Sequence, residues 1–165
     1  MSNTRELFDD FVVALEAGEW DRANELVPHT MPLNKQLGLR FLGLEGDTLS
    51  ATMALTESVS TSVEGTVHGG ILATFADVVS AFAVIATHGA GAGTLVTTEL
   101  HIRYFRQPWS GPLTAEATVV HGGRQLLSTE CVITDAHDRT LARSTATFTR
   151  IQLPEWASGQ GVVSS

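Results

Sequence analysis

The stretch VHGGILATFADVVSAFA, at residues 67–83, decides the fold. From residue 71 to residue 86 the chain is apolar around a full helical circumference, apart from Thr74, Asp77 and Ser80. A helix without a polar face is predicted to be buried on all sides. An acid in the middle and the lack of basic flanks argue against a membrane span. The stretch therefore predicts the central helix of a protein core.

Strand patterns flank this helix on both sides. We predict a strand at 36–45, a turn at Gly46 and Asp47, and a partner strand at 49–56 with Leu49, Ala51 and Met53 on one face. Four further strands follow the helix, at 94–105, 113–120, 125–134 and 139–150. Strict alternation across 94–105 places Thr97 on the same face as Glu99, His101 and Arg103. An antiparallel sheet wrapped around one long helix, an α+β architecture, covers the helix most economically.

Two short helices are predicted before this unit, at 4–17 and at 19–27, the second ended by Pro28. Residues 1–30 hold seven acids and two bases, which is typical of a solvated helical extension with little functional content. The main domain then spans 31–151, and residues 152–165 are expected to form a flexible tail.

Composition narrows the class of protein. The chain has 165 residues, 43% of them hydrophobic, which suits one folded domain. With 18 acids against 10 bases, it is expected to bind neither nucleic acid nor a membrane surface. One cysteine, Cys131, allows no internal disulfide and no zinc cluster, and the N-terminus has no export signal. These features favour the cytoplasm.

The glycines and the acid of the stretch suggest a chemistry. Gly69 and Gly70 have no Cβ and stand at a helix N-terminus, where N–H groups can stabilise a negatively charged oxygen. We choose the Gly70 amide as that donor. Asp77 has the small neighbours Ala73 and Ala81, which leave room for a water or a substrate beside a general base or nucleophile. The alternative is a structural acid paired with an arginine from a strand.

This HGG motif, followed by an acid nine residues after His68, resembles that of hotdog-fold acyl-CoA thioesterases, especially the phenylacetic-acid-pathway type, over about residues 34–151. The resemblance implies that Asp77 is catalytic, that His68 positions the loop and that Thr97 orients water. Related enzymes often have an asparagine where this chain has Ser62, a shorter side chain to which we assign the same water-orienting role. We assign the following residues to substrate binding: Gly69, Thr74, Arg103, Arg106 and Arg124.

The resemblance also implies partners. Coenzyme A enters only as part of the substrate and product, with no metal and no further cofactor. The arginines for its phosphates lie in the C-terminal part, where residues 101–165 hold six bases and five acids. A site shared between two subunits is expected, in a homodimer or a tetramer of two dimers.

Two other functions remain open at this point. The same fold can bind or sense acyl-CoA without hydrolysing it, and a hotdog dehydratase would carry a histidine and acid pair in a different motif. The acyl group is not decided either, because Phe75 and Phe82 suit an aromatic ring as well as a medium aliphatic chain.

Overall fold

The computed structural model describes residues 4–61, 63, 65–91 and 94–152. Four helices are present in these ranges: α1 Thr4–Glu16, α2 Trp20–Thr30, α3 Pro32–Leu37 and α4 Gly69–His88. The strands are β1 Arg40–Glu45, β2 Thr48–Met53, β3 Thr94–Tyr104, β4 Leu113–Gly122, β5 Leu126–Thr134 and β6 Thr140–Ile151. The prediction of strands before and after one long helix is confirmed.

The six strands form one antiparallel sheet in the order β1-β2-β4-β5-β6-β3. Helix α4 packs across one face of the sheet and contacts five of its strands as well as α1. Leu72, Phe75 and Val79 of α4 are fully buried against alternate residues of the strands, such as Leu49 and Ala115. Although α4 is long and apolar enough to cross a membrane, this packing makes it the core helix.

Three predicted boundaries are wrong. The partner strand, expected to run to residue 56, ends at Met53. The strand expected from residue 36 begins only at Arg40, because the short helix α3 continues to Leu37. Gly38 ends that helix in the left-handed conformation, with φ of 58°, which glycine adopts without strain. Pro28 also does not end α2, which continues to Thr30. A proline in the last turn removes one backbone hydrogen bond, and that loss does not break the helix.

A β-bulge changes the face to which Thr97 belongs. Thr97 pairs with Phe148 and Glu99 pairs with Thr147, so Thr98 is the extra residue between two consecutive pairs. The expected alternation therefore fails at this point. Thr97 lies on the α4 side of the sheet, and His101 beyond the bulge lies on the outer face. Bulges of this kind are common beside active sites, where they redirect a side chain.

The prediction that α4 is buried on all sides is also wrong for the single chain. A stripe of α4 that faces away from the middle of the sheet stays partly exposed; its members are Ala73, Thr74, Asp77 and Ala81. Strand β3, beside this stripe, is an open edge of the sheet. Stripe and edge together form a continuous unpaired surface. The tail predicted at 152–165 lies outside the described residues after position 152.

Candidate active site

Asp77 and Thr97 meet where α4 passes the bulge of β3. The Thr97 hydroxyl donates a hydrogen bond of 2.7 Å to Oδ1 of Asp77, which fixes the carboxylate toward the sheet edge. Asp77 is half-buried and Thr97 is exposed, so the pair is accessible from the unpaired surface. The alternative reading of Asp77 as an arginine-paired acid finds no support among the described residues, which include no ion pair to it. The carboxylate can thus hold a water or reach a substrate.

The N-terminus of α4 is capped by His68. The imidazole Nδ1 accepts the Gly70 N–H at 3.2 Å, and the His68 N–H donates to the Val59 carbonyl at 3.3 Å. The Gly70 amide, which we expected to be unpaired, is therefore already engaged. Its present acceptor is an exposed side chain, which can rotate away when a substrate oxygen takes its place. The positioning role expected for His68 agrees with this contact.

Two residues that the sequence analysis did not assign to this loop hold it in place. The Tyr104 hydroxyl donates to the Gly69 carbonyl at 2.9 Å, and a Cβ on Gly69 would lie 3.5 Å from Cζ of the same ring. Oε1 of Gln107 accepts the Val67 N–H at 2.8 Å. Both come from the end of β3 and the turn after it. No spacing rule links them to residues 67–69, because the contacts depend on how α4 packs beside β3.

The buried acid Asp135 holds Arg139 against the turn that contains Gln107. The Arg139 guanidinium donates to Asp135 at 2.9 Å and 2.5 Å, and to the Gln107 carbonyl at 3.4 Å. Burial would raise the pKa of Asp135, but the Arg139 side chain and the backbone N–H groups of Trp109, Arg139 and His137 hold that pKa well below its ordinary value. Arg139 also stacks on Trp109, with 3.6 Å from its Cζ to the ring centre. Asp135 is thus a structural group, remote from the reacting centre.

A cavity of about 250 Å³ begins at Asp77 and Thr97. Apolar side chains of α4, β3 and β6 form most of its wall, and Phe82 and Phe148 are among them. Its far side is lined by residues of the N-terminal helices. Their charged residues had suggested a solvated surface, but the other face of α1 contacts the cavity.

The remaining predicted residues are placed as follows. The Thr74 hydroxyl donates to the Gly70 carbonyl at 2.9 Å, and Thr74 lies in the exposed stripe between Gly70 and Asp77. Ser62 lies outside the described residues, so its role stays a prediction.

The structure does not bring the three predicted phosphate-binding arginines together in one chain. Arg103 lies on the outer face of the sheet beside Arg143, away from α4. Arg106 is exposed just after β3, at the end of that strand nearest Tyr104. Arg124 lines a depression with Arg150, which belongs with the opposite end of β3 because Arg150 pairs with Leu95. Their binding roles stay predictions.

Cys131 can be dismissed as a nucleophile. Burial raises the pKa of its thiol to about 12; the nearby Ser144 lowers it and the charge of Glu116 raises it further. A neutral, covered thiol does not attack a thioester. Across the described part of the chain, no group of three or more His, Cys, Asp or Glu residues is arranged to hold a metal ion.

Comparison with known proteins agrees with this geometry. Residues 64–142 match the model of the Thioesterase superfamily, and that range contains His68, Gly70, Asp77 and Thr97. No curated protein gives a significant sequence match.

Solved structures share the fold over most of the chain. A thioesterase from Haemophilus influenzae is 23% identical, with a TM-score of 0.72, and the match covers 82% of this chain and 92% of that one. The PaaI protein from the phenylacetic acid degradation operon of E. coli is 25% identical, with a TM-score of 0.68 and coverage of 83% and 96%. A mutant thioesterase from Pseudomonas aeruginosa is 21% identical, with a TM-score of 0.67 and coverage of 73% and 86%. The match of residues 64–142 to this family model and the shared architecture show that the chain has the hotdog fold of thioesterases, and they support a thioester hydrolase activity.

Proposed function

We propose that the protein hydrolyses the thioester of an aromatic or short- to medium-chain acyl-CoA, in the manner of the PaaI type, and releases the free acid and coenzyme A. The observation that carries this proposal is the Asp77 carboxylate, held by Thr97 at 2.7 Å, at the mouth of an apolar cavity. An acyl chain suits the cavity, and the polar pair at its mouth suits the thioester carbonyl.

In the proposed reaction, Asp77 acts as a general base. Oδ1 is oriented by Thr97, and the carboxylate accepts a proton from a water that attacks the carbonyl carbon. A carbon–oxygen bond forms, the carbon–sulfur bond breaks, and the proton passes to the departing thiolate. Direct attack by Asp77 is the competing route. In a single turnover in ¹⁸O-labelled water, label in the Asp77 carboxylate would establish direct attack, because only an anhydride opened at the Asp77 carboxyl carbon places it there.

We propose that the oxyanion donor comes from a second chain. Gly70 and Asp77 are seven residues apart on α4, which is about 10.5 Å along the helix axis. One carbonyl needs its donor within roughly 3 Å of the oxygen and its nucleophile within about 3.5 Å of the carbon. For direct attack by Asp77 these two distances fall short of the axial separation, and for a water held by Asp77 they reach it only when all the groups lie in one line. A donor from a second chain therefore fits the thioester better.

A second chain, related by a two-fold axis and packed on the exposed stripe of α4, would bring a donor close to each Asp77. When two α4 helices pair antiparallel about a point midway between positions 70 and 77, the partner's Gly70 lies opposite Asp77, and the reverse. The midpoint falls between Ala73 and Thr74, whose small side chains allow close approach. Pairing would also cover the open edge of β3. We therefore propose a homodimer as the active unit, with a tetramer of two dimers as its larger form.

Coenzyme A would be held on the side of residues 67–70, the glycine loop. Arg106 is exposed at the same end of β3 as Tyr104, which bonds to Gly69, so its guanidinium is the first candidate for a phosphate contact. We place the reaction in the cytoplasm, where coenzyme A esters are made and used and where the single buried thiol of Cys131 persists.

Subunit complementation tests the shared site. Asp77→Asn removes the base, and Gly70→Pro removes one amide proton in the first helical turn, where proline is tolerated. Each variant alone should lose activity. In a statistical mixture, half of the dimers are mixed and each has one intact site of two, so about one quarter of wild-type activity should return. A mixture that stays as inactive as the two parents, although co-purification of differently tagged subunits shows mixed dimers, would refute the shared site.

A further inference from the structure

The cavity beside Asp77 is closed by the N-terminal helix. Phe8 and Val12 are one turn apart on α1 and both line the cavity, together with Met31 between α2 and α3. All three are half-buried, in contrast to the fully buried Phe11 on the same helix. These half-buried faces meet the empty space.

Two contacts fix α1 in this position. The Phe11 ring packs edge-on against Phe82 of α4, with 5.2 Å between ring centres, and lies 6.0 Å from Phe41 of β1. At the other end of α1, Oε1 of Glu16 accepts the N–H of Ala90 at 2.7 Å. Ala90 itself lines the cavity. The helix is therefore fastened both to the core and to the segment that follows α4, so its cavity-facing residues hold a defined place.

We propose that α1 is the wall that limits the length of the acyl group, with Phe8 and Val12 as the specificity-determining residues. This proposal rests on the proposed function. The acyl chain would begin at its thioester carbonyl beside Asp77 and extend between α4 and β3 toward α1. The N-terminal extension, which holds seven acids and two bases in residues 1–30, thus supplies the apolar end of the substrate site.

The size of the cavity names the substrate class. A cavity of about 150 Å³ holds a benzene molecule, whereas this one has about 250 Å³. The additional space suits a two-carbon linker between a ring and the thioester. A methylene group is similar in size to a water, roughly 30 Å³, so an aliphatic chain of about eight carbons also fits. The wall would exclude chains of about sixteen carbons.

A chain-length profile tests whether α1 limits the length of the acyl group. The profile is kcat/KM for acyl-CoAs of two to sixteen carbons and for phenylacetyl-CoA. Val12→Phe should lower kcat/KM for octanoyl- and phenylacetyl-CoA at least tenfold and leave acetyl-CoA within twofold. Phe8→Ala should move the optimum to longer chains. Val13→Phe is the matched control. Because Val13 is 58% exposed on the other side of α1, this variant should leave the chain-length profile unchanged.

The outcomes separate the two proposals. If Val12→Phe and Phe8→Ala have native circular dichroism and the wild-type chain-length profile, the proposed role of α1 is overturned, while the proposed hydrolysis still stands. If Val12→Phe does not fold, the chain-length profile of Phe8→Ala alone decides whether α1 limits the acyl group. If the wild-type protein hydrolyses no acyl-CoA, the proposed function fails, and calorimetric titration with octanoate then tests the wall separately. Equal octanoate affinity for wild type and Val12→Phe would overturn it; a loss of at least tenfold in the variant would support it.

Discussion

Replacing Thr97 with valine isolates the contribution of one hydrogen bond to catalysis. The change removes the hydroxyl that donates to Oδ1 of Asp77 at 2.7 Å and keeps the branched shape of the side chain. A hydrogen bond to a charged group contributes about 1.5–3 kcal/mol. Thr97 is exposed, so we use the lower end of that range. A loss of about 1.5 kcal/mol corresponds to roughly a tenfold fall in kcat.

The neighbouring threonine provides the control. Because of the bulge, Thr98 directs its hydroxyl to the Thr147 carbonyl, at 3.0 Å, and not to Asp77. Thr98→Val should therefore leave kcat within twofold of wild type, and Thr97→Ser should retain most of it. The release of free coenzyme A can be followed with a thiol reagent, since the covered Cys131 contributes little background in the native protein.

The reasoning is refuted if Thr97→Val keeps wild-type kcat, because the hydroxyl would then have no part in orienting Asp77. It is also refuted if Thr97→Val and Thr98→Val lose kcat equally. Equal losses would point to a general effect on β3 and not to the bond across the bulge.

Two further predictions concern groups around the site. Tyr104→Phe removes the bond to the Gly69 carbonyl and should lower kcat/KM about 2- to 10-fold, measured on octanoyl-CoA, with little change in Tm. Asp135→Asn should lower the free energy of unfolding at pH 7, measured by urea titration, because Asp135 is held ionised by Arg139. The folded-state pKa of Asp135 is depressed, so its contribution is present above the unfolded pKa of about 3.9 and is lost as the pH falls below it. The gap in stability between wild type and variant should therefore narrow below about pH 4, and a gap that widens there would contradict this account.

The fold was largely predictable from local patterns. Helix α4 has the apolar composition of a core helix, and strands β4 and β5 after it follow simple alternation. The meeting of Asp77 and Thr97 was expected only from the resemblance, since twenty residues separate them. Alternation alone would place Thr97 on the wrong face, because a single extra residue in a strand leaves no mark in the hydropathy pattern.

The site residues that were missed depend on tertiary packing. Tyr104 and Gln107 reach the glycine loop only because of the angle between β3 and α4. Phe8 and Val12 were given no role, since a sequence shows that a face is apolar but not whether it meets a packed core or a cavity. The capping of Gly70 by His68 similarly requires a rotamer that no spacing rule specifies.

The central claim is that the Asp77 carboxylate drives hydrolysis of an acyl-CoA bound in the cavity. Its most direct test is the turnover of octanoyl- and phenylacetyl-CoA by wild type and Asp77→Asn, with binding measured beside it by calorimetry. The account predicts that Asp77→Asn lowers kcat by about 10²–10⁴-fold and changes the affinity for acyl-CoA by less than about fivefold. Full turnover in Asp77→Asn, or tight binding without turnover in the wild type, would contradict it, and the second result would identify an acyl-CoA binding protein in place of a hydrolase.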